Sequence, residues 1–380
     1  MIKRNLKGIV IVTISTLSAF ILSIVLKNIL LVLTTPTAYS PIQNSSDFAM
    51  SDIFEYISND ANFSYISNDI VIVATDGCNR QEIASIIDTI NTYNPKVIGL
   101  DVIFKQQQYN DSALISTINK CNQIVLPYDM GYNIQSDVFF VQDSSYFYND
   151  LKHVNLGAIN LSGNSIRNVI RRFKNHFCTQ TDSVNSFSYL IANLYSNDNT
   201  NKLNERPDDG LIAYRGREIE KFTKEEFISL EDKNLTIQNK IVLLGDINSN
   251  SDMHTTPIKE EEAGVVIHAH IIDTILNGLY IKEASNLLNY SIAILMTLLF
   301  CGFTYYVRVN VKYAGRLLIR AVQFGLIITY IIIGYFLYSV CNYYINFSIS
   351  VLMTGISILM LDITSGFHGL YTLMTKKIAK

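Results

Sequence analysis

Lys240-Ile-Val-Leu-Leu-Gly245, then Asp246, and later Gly264-Val-Val-Ile-His-Ala-His270, make up the stretch that decides the fold. After Lys240, the run from Ile241 to Gly245 is apolar without alternation, the mark of a strand buried on both faces. A polar loop follows, carrying Asp252, His254, Thr255, Thr256 and Pro257. Gly264 then opens an amphipathic helix, Val265 to about Asn277, and a long apolar segment begins at Leu287. Polar groups are thus gathered at the carboxyl end of a strand and joined by one helix to a membrane segment. That arrangement suits a transmembrane receptor, and equally the polar end of an inert anchored domain.

Upstream, the same pattern recurs. Ile70-Val-Ile-Val-Ala-Thr75 is a second continuous β-branched run, ending at Asp76-Gly77. Ile83, Ile86, Ile87 and Ile90 then repeat at helical spacing, and Asn94-Pro95 stops that helix. Lys96-Val-Ile-Gly-Leu100 is a third buried run, ending at Asp101. A βαβ unit of this kind makes its strands parallel and its crossover right-handed. Further strands are expected at Gln123–Leu126, Val138–Val141, Gly157–Asn160 and Gly210–Gly216, with Asn168–Phe173 as an antiparallel hairpin arm. Helices are expected at Asp52–Ile57, at Ser112–Lys120 capped by Asp111, at Ser186–Tyr195 and at Thr223–Leu230. Alternating strands and helices give an α/β fold: a three-layer domain with a mostly parallel sheet.

At the two ends of the chain the composition changes. Of the 380 residues 49% are hydrophobic, and they concentrate in four runs, Gly8–Leu26, Leu287–Val307, Leu317–Tyr338 and Ile345–Leu361. Each reaches the roughly 20 residues that a spanning helix needs. Basic residues mark the cytoplasmic side of short loops. Lys3, Arg4 and Lys7, then Arg308, Lys312, Arg316 and Arg320, then Lys376, Lys377 and Lys380 all place both termini inside, and Thr34 to Glu283 outside. The first run exceeds the ~7–15 residues of a signal-peptide core, which favours an uncleaved anchor. Cleavage near Thr37-Ala-Tyr-Ser40 is the alternative. Domain bounds follow: 1–33 cytoplasmic tip and first span, 34–68 tether, 69–284 exported domain, 285–364 three spans, 365–380 cytoplasmic tail. The net charge of −3 gives no nucleic-acid signal, and the five cysteines have no metal-type spacing. Whether the exported Cys78, Cys121 and Cys178 pair is left open.

Val71–Asp76, Lys96–Phe104, Ile212–Gly216, Lys240–Gly245, Asp252 with Thr256-Pro257, and Gly264–Ala269 together resemble the CHASE domain of the second type. CHASE stands for cyclases/histidine kinases associated sensory extracellular. The resemblance covers about Asp69 to Gly278, in the family's order and with its usual flanks of one helix before and about three after. It implies an extracytoplasmic sensor domain, in this family usually coupled to a cyclase, kinase or cyclic-diguanylate enzyme. Three departures stand out. The paired acids after the first strand are here Asp76-Gly77, the Trp/Pro/Arg-rich segment is missing, and the last motif has Val266 and His270 where Glu and Asn are usual. No output domain is expected in the short segment after the last span.

Asp76, Asp101 and Asp246 each end a strand, so parallel strands bring them to one sheet edge, where ligands of open α/β sheets bind. With Asp252, Thr256, His268 and the guanidinium of Arg215 they form the candidate ligand site. The carboxylates could hold a hard divalent cation; otherwise no cofactor is indicated. The blander reading is that each aspartate caps a turn and pairs with a base such as Arg215. His268 and His270, about 200° apart on a helix, cannot ligate one metal together. No nucleophile elbow is present near Ser249 and Ser251. The expectation is a bacterial inner-membrane sensor without enzyme activity. It would bind an extracytoplasmic ligand and signal through its spanning helices to a separate membrane or cytoplasmic protein, with homo-oligomerisation open. The rivals are an assembly subunit binding an exported protein and an exported metal-dependent hydrolase.

Overall fold

The computed structural model describes residues 2–34, 50–60, 65–133, 136, 138–161, 169–196, 208–215, 217–249, 252–311 and 313–378. The chain forms two compact units, one of residues 1–54 with 282–380 and one of residues 55–281. Helices α1 (Ile2–Thr34) and α2 (Met50–Asp60) come first. The second unit then runs β1 (Tyr65–Ala74), α3 (Arg80–Thr92), β2 (Val97–Leu100), α4 (Asp111–Ile118), β3 (Ile124–Asn133), β4 (Val138–Ser144) and β5 (Asn155–Ala158). It continues through α5 (Phe187–Tyr195), β6 (Arg217–Phe222), α6 (Lys224–Ser229), α7 (Lys233–Ile237), β7 (Ile241–Gly245) and α8 (Gly264–Asn277).

The seven strands form one sheet in the order β6-β1-β7-β2-β3-β4, with β5 also pairing β3. Every pairing is parallel except β3 with β4. β1 and β2 are parallel, as their βαβ sequence requires, but β7 lies between them, with Ala74 opposite Gly245 and Leu244 opposite Leu100. Because successive strand residues face opposite ways, the continuous apolar runs feed two cores. Ile70, Ile72, Ile241 and Leu243 pack with Phe187, Ile191, Val265 and Ile267 of α5 and α8. Val73, Ile98, Leu100, Val242 and Leu244 pack with Ile83, Ile87 and Ile90 of α3 and with Leu114, Phe227 and Ile237. That is the three-layer α/β domain. At Gly99 a Cβ would lie 2.6 Å from the Ile191 Cδ1, so the missing side chain sets how closely α5 approaches.

Several boundaries differ from expectation for physical reasons. Asp111 is the first residue of α4 and does not cap it; Asn110 occupies the cap position in a left-handed conformation, without a side-chain hydrogen bond to the helix. The Asp111 carboxylate is taken up by the Gln108 amide and the Tyr146 hydroxyl, each at 2.5 Å, and by Arg80 at 3.1 Å. The expected Gly210–Gly216 strand is limited to Asp209–Leu211, which pairs antiparallel with Arg172–Lys174. The Arg172–Lys174 segment overlaps the end of the expected Asn168–Phe173 hairpin arm, though its partner is distant in sequence, and Asn168 falls outside the described residues. The sheet strand that follows is β6, Arg-Glu-Ile-Glu-Lys-Phe, which lacks an apolar run because it is an edge strand; among its described side chains Ile219 is the buried one.

Among the described residues, four helices are long and apolar enough to cross a membrane. They are α1 and, in the C-terminal part, α9 (Asn286–Asn310), α10 (Gly315–Cys341) and α11 (Ser348–Ile378). Gly8 of α1 meets the Tyr305 ring of α9, and Phe20 packs edge-on to Tyr290. Tyr330 stacks on Phe347, and buried Gln323 donates to the carbonyls of Thr354 and Gly355. The last helix continues well past Leu361, through Gly366 and Gly369. The possible cleavage site at residues 37–40 lies outside the described residues.

Candidate functional site

Strands β1, β7 and β2 all end at the same sheet edge, since they are parallel and in register. Asp76, Asp246 and Asp101 follow them directly. The Asp101 amide donates to Leu244 O at 2.7 Å and the Thr75 amide to Gly245 O at 3.0 Å, which extends the pairing to the edge. There the three aspartates take different roles. Asp76 accepts from the amides of Ile247 and Asn248, at 2.9 and 2.8 Å. It closes the loop that leaves β7. Asp246 accepts from the Thr75 hydroxyl at 2.8 Å. Asp101 is the outlier. Part of the residue reaches solvent, yet its carboxyl sits deep enough that burial holds its pKa well above the usual carboxylate range, and the Asp252 and then the Asp246 carboxylates push the same way.

The loop after Asp246 is built as a hairpin. Met253–His254 pairs antiparallel with Glu262–Ala263, and Thr256 closes the turn, its hydroxyl meeting Lys259 O at 3.2 Å and Lys259 N at 3.0 Å. Ile247, Met253 and Ile258 pack against the core. Buried Glu262 takes Lys259 at 2.9 Å and Lys221 at 3.4 Å. Apolar anchors and charge pairs therefore hold a loop whose polar sequence suggested neither. The hairpin delivers the chain to Gly264, the first residue of α8.

Asp252 sits over that helix start. A Cβ on Gly264 would lie 2.5 Å from Asp252 Oδ2. The α8 N-cap, Ala263, offers no side-chain acceptor, so the Asp252 carboxylate supplies the negative charge that a helix N-terminus favours. His254 Nε2 lies 3.1 Å from Asp252 Oδ1. One turn along α8, buried His268 meets the Ser188 hydroxyl of α5 through Nδ1 at 2.8 Å. Burial lowers the His268 pKa to about 4; Asp252 and a backbone hydrogen bond to Ile159 oppose that, while His254 adds to it. His270, two residues on, faces Tyr214 instead, with ring centroids 5.1 Å apart.

The structure thus gathers Asp101, Asp246 and Asp252 with His254 and His268 around the start of α8. Asp76 frames the same edge through bonds to the Ile247 and Asn248 amides, while Thr256 bonds only within the hairpin turn, to Lys259. Arg215 lies elsewhere. It precedes β6, whose first residue Arg217 pairs with Tyr65 at the amino end of β1, and the preceding Ala213 amide donates to Thr274 in the last turn of α8. Among the described residues, no three His, Cys, Asp or Glu side chains are arranged to hold a metal ion. Sequence reasoning missed Thr75 and Ser188, small hydroxyl residues whose partners are remote in the chain. It also missed the Glu262–lysine pairs.

A family model described as CHASE2 domain matches residues 29–304. No curated protein and no solved structure matches the chain. The matched stretch runs from within α1, through the α/β domain and its acid-lined edge, into α9, and on that extent the chain belongs to the CHASE2 family of extracytoplasmic sensory domains.

Proposed function

We propose that this protein is a bacterial inner-membrane sensor, with its α/β domain outside, both termini in the cytoplasm, and its signal passed through the spanning helices to a separate protein. The observation that carries the proposal is the placement of α8. It begins under Asp252 and His254, and its chain reaches the first residue of α9 across only Gly278 to Ser285. An input at the helix start has a short covalent route to the membrane segment. The input site is Asp101, Asp246 and Asp252, with His254 and His268 beside them. A ligand with cationic or proton-donating groups suits it, because Asp101 is already crowded by two carboxylates. Such a ligand shifts the protein between states only through contacts that differ between them.

The test is purification of the full chain from its native membrane in mild detergent, with identification of bound proteins. A kinase, cyclase or response regulator should co-purify, and should be lost when the three C-terminal helices are replaced by an unrelated anchor. Capture of exported proteins only, persisting with the foreign anchor, would sink the signalling reading and favour an assembly role.

A further inference from the structure

Where α9 ends and α10 begins, the membrane unit holds a cavity of about 520 Å³ lined by Arg308, Arg316, Arg320, Asp362, Ile319 and Ile358. Three guanidiniums against one carboxylate leave positive charge in excess. Arg308 donates to Asp362 Oδ1 at 2.5 Å. Arg320 donates to Gln323 Oε1 at 2.9 Å, and buried Gln323 is itself anchored on the Thr354 and Gly355 carbonyls of α11. Groups of α10 and α11 therefore hold two of the arginines in place. Arg316 stands in the first turn of α10, whose N-cap Ala314 has no side-chain acceptor, so the positive end of that helix adds to the same field. Ile319 and Ile358, both buried, give the cavity an apolar side.

Arginine's planar donors match phosphate oxygens in pairs. Basic cavities between spanning helices are where acidic lipid headgroups bind. We propose that this cavity binds a phosphate-bearing anion, supplied either by the headgroup of an acidic phospholipid or by a soluble phosphate compound. Arg316 and Arg320 hold the phosphate, and Asp362 competes with it for Arg308. The signalling proposal is not needed for this one, which rests on the membrane unit alone.

Two arms separate the sources. The full chain in neutral detergent is titrated with phosphatidylglycerol in phosphatidylcholine micelles and followed by native mass spectrometry. Separately, it is titrated with inorganic phosphate and pyrophosphate by calorimetry. At least one probe should bind, and the double variant Arg316→Gln/Arg320→Gln should weaken it by about tenfold or more, the scale of losing charged hydrogen bonds. Lys7→Gln, a basic residue outside the cavity, should leave binding unchanged. Asp362→Asn removes the competing charge and should tighten binding, a gain that misfolding cannot imitate. Binding of the lipid alone assigns a headgroup; binding of phosphate or pyrophosphate alone assigns a soluble ligand; binding of both supports the site with either source. The proposal is overturned if neither probe binds, if the double variant weakens binding no more than Lys7→Gln, or if Asp362→Asn weakens it.

Discussion

At the scale of single residues, Asp101 and His268 titrate in opposite senses. Asp101 has a raised pKa, chiefly from burial and then from Asp252. Its contribution to stability is full below the ordinary carboxylate pKa and is lost as pH rises through the raised value. His268 is lowered from 6.5 to about 4 by burial. Its fold-stabilising contribution is full above 6.5 and is lost as pH falls from there toward 4, on the order of 3 kcal/mol if the whole shift is expressed. In that window the two partly cancel. Asp101→Asn should raise the melting temperature near neutral pH by about 2–4 °C, the scale of a 1 kcal/mol gain, and should steepen the loss on acidification. His268→Gln should flatten that loss. Melting curves of the full chain in detergent from pH 4 to pH 7.5 check both, and an Asp101→Asn melting temperature at or below the parent's near pH 7 would rule out the buried, crowded carboxyl.

Among the elements, α8 is the one whose packing constrains the site most. Val265, Ile267, Ile271 and Ile275 bury it in one core, while its first residue must be small because Asp252 occupies the space of a side chain. Gly264→Ala should therefore push Asp252 off the helix start, costing about 1–3 kcal/mol by overpacking. Asp252→Ala in the same chain should restore much of that loss, since it removes the clash. Chemical denaturation of the single and double variants measures the coupling. Additive effects would show that the carboxylate is not seated on the helix. The capping boxes at Asn79–Glu82 and Thr223–Glu226 fix the starts of α3 and α6 in a similar way, with side chains meeting backbone amides.

For the whole molecule, the proposed topology rests on the four apolar helices found among the described residues and on the basic residues near their ends. Reporters fused after Ser285 and after Cys341 should be extracytoplasmic, and fusions after Lys312 and Lys380 cytoplasmic. A cytoplasmic signal after Ser285 would exclude the sensor reading at once. The same chain allows a test of coupling. If the proposed signalling to a separate protein runs through this junction, a flexible Gly/Ser segment inserted after Lys282 should leave the domain folded but abolish that signalling. Full signalling after the insertion would mean that the junction only anchors.

Local patterns determined much of this in advance. Short continuous apolar runs within Ile70–Thr75, Lys96–Leu100 and Lys240–Gly245 are the mark of strands buried on both faces, and the parallel sheet and the edge that gathers Asp76, Asp101 and Asp246 followed from that reading. The spans and the α8 helix were legible for the same reason: their signals are short-range periods and lengths. Tertiary structure alone decided that β7 enters between β1 and β2, because strand order depends on contacts between segments far apart in the chain. It alone made Arg217–Phe222 a strand, since an edge strand needs one partner and little apolar surface. It alone separated Arg215 from the aspartates, seated Asp252 on the α8 start and turned His268 toward Ser188. Those placements come from long-range packing, which no local pattern of residues encodes.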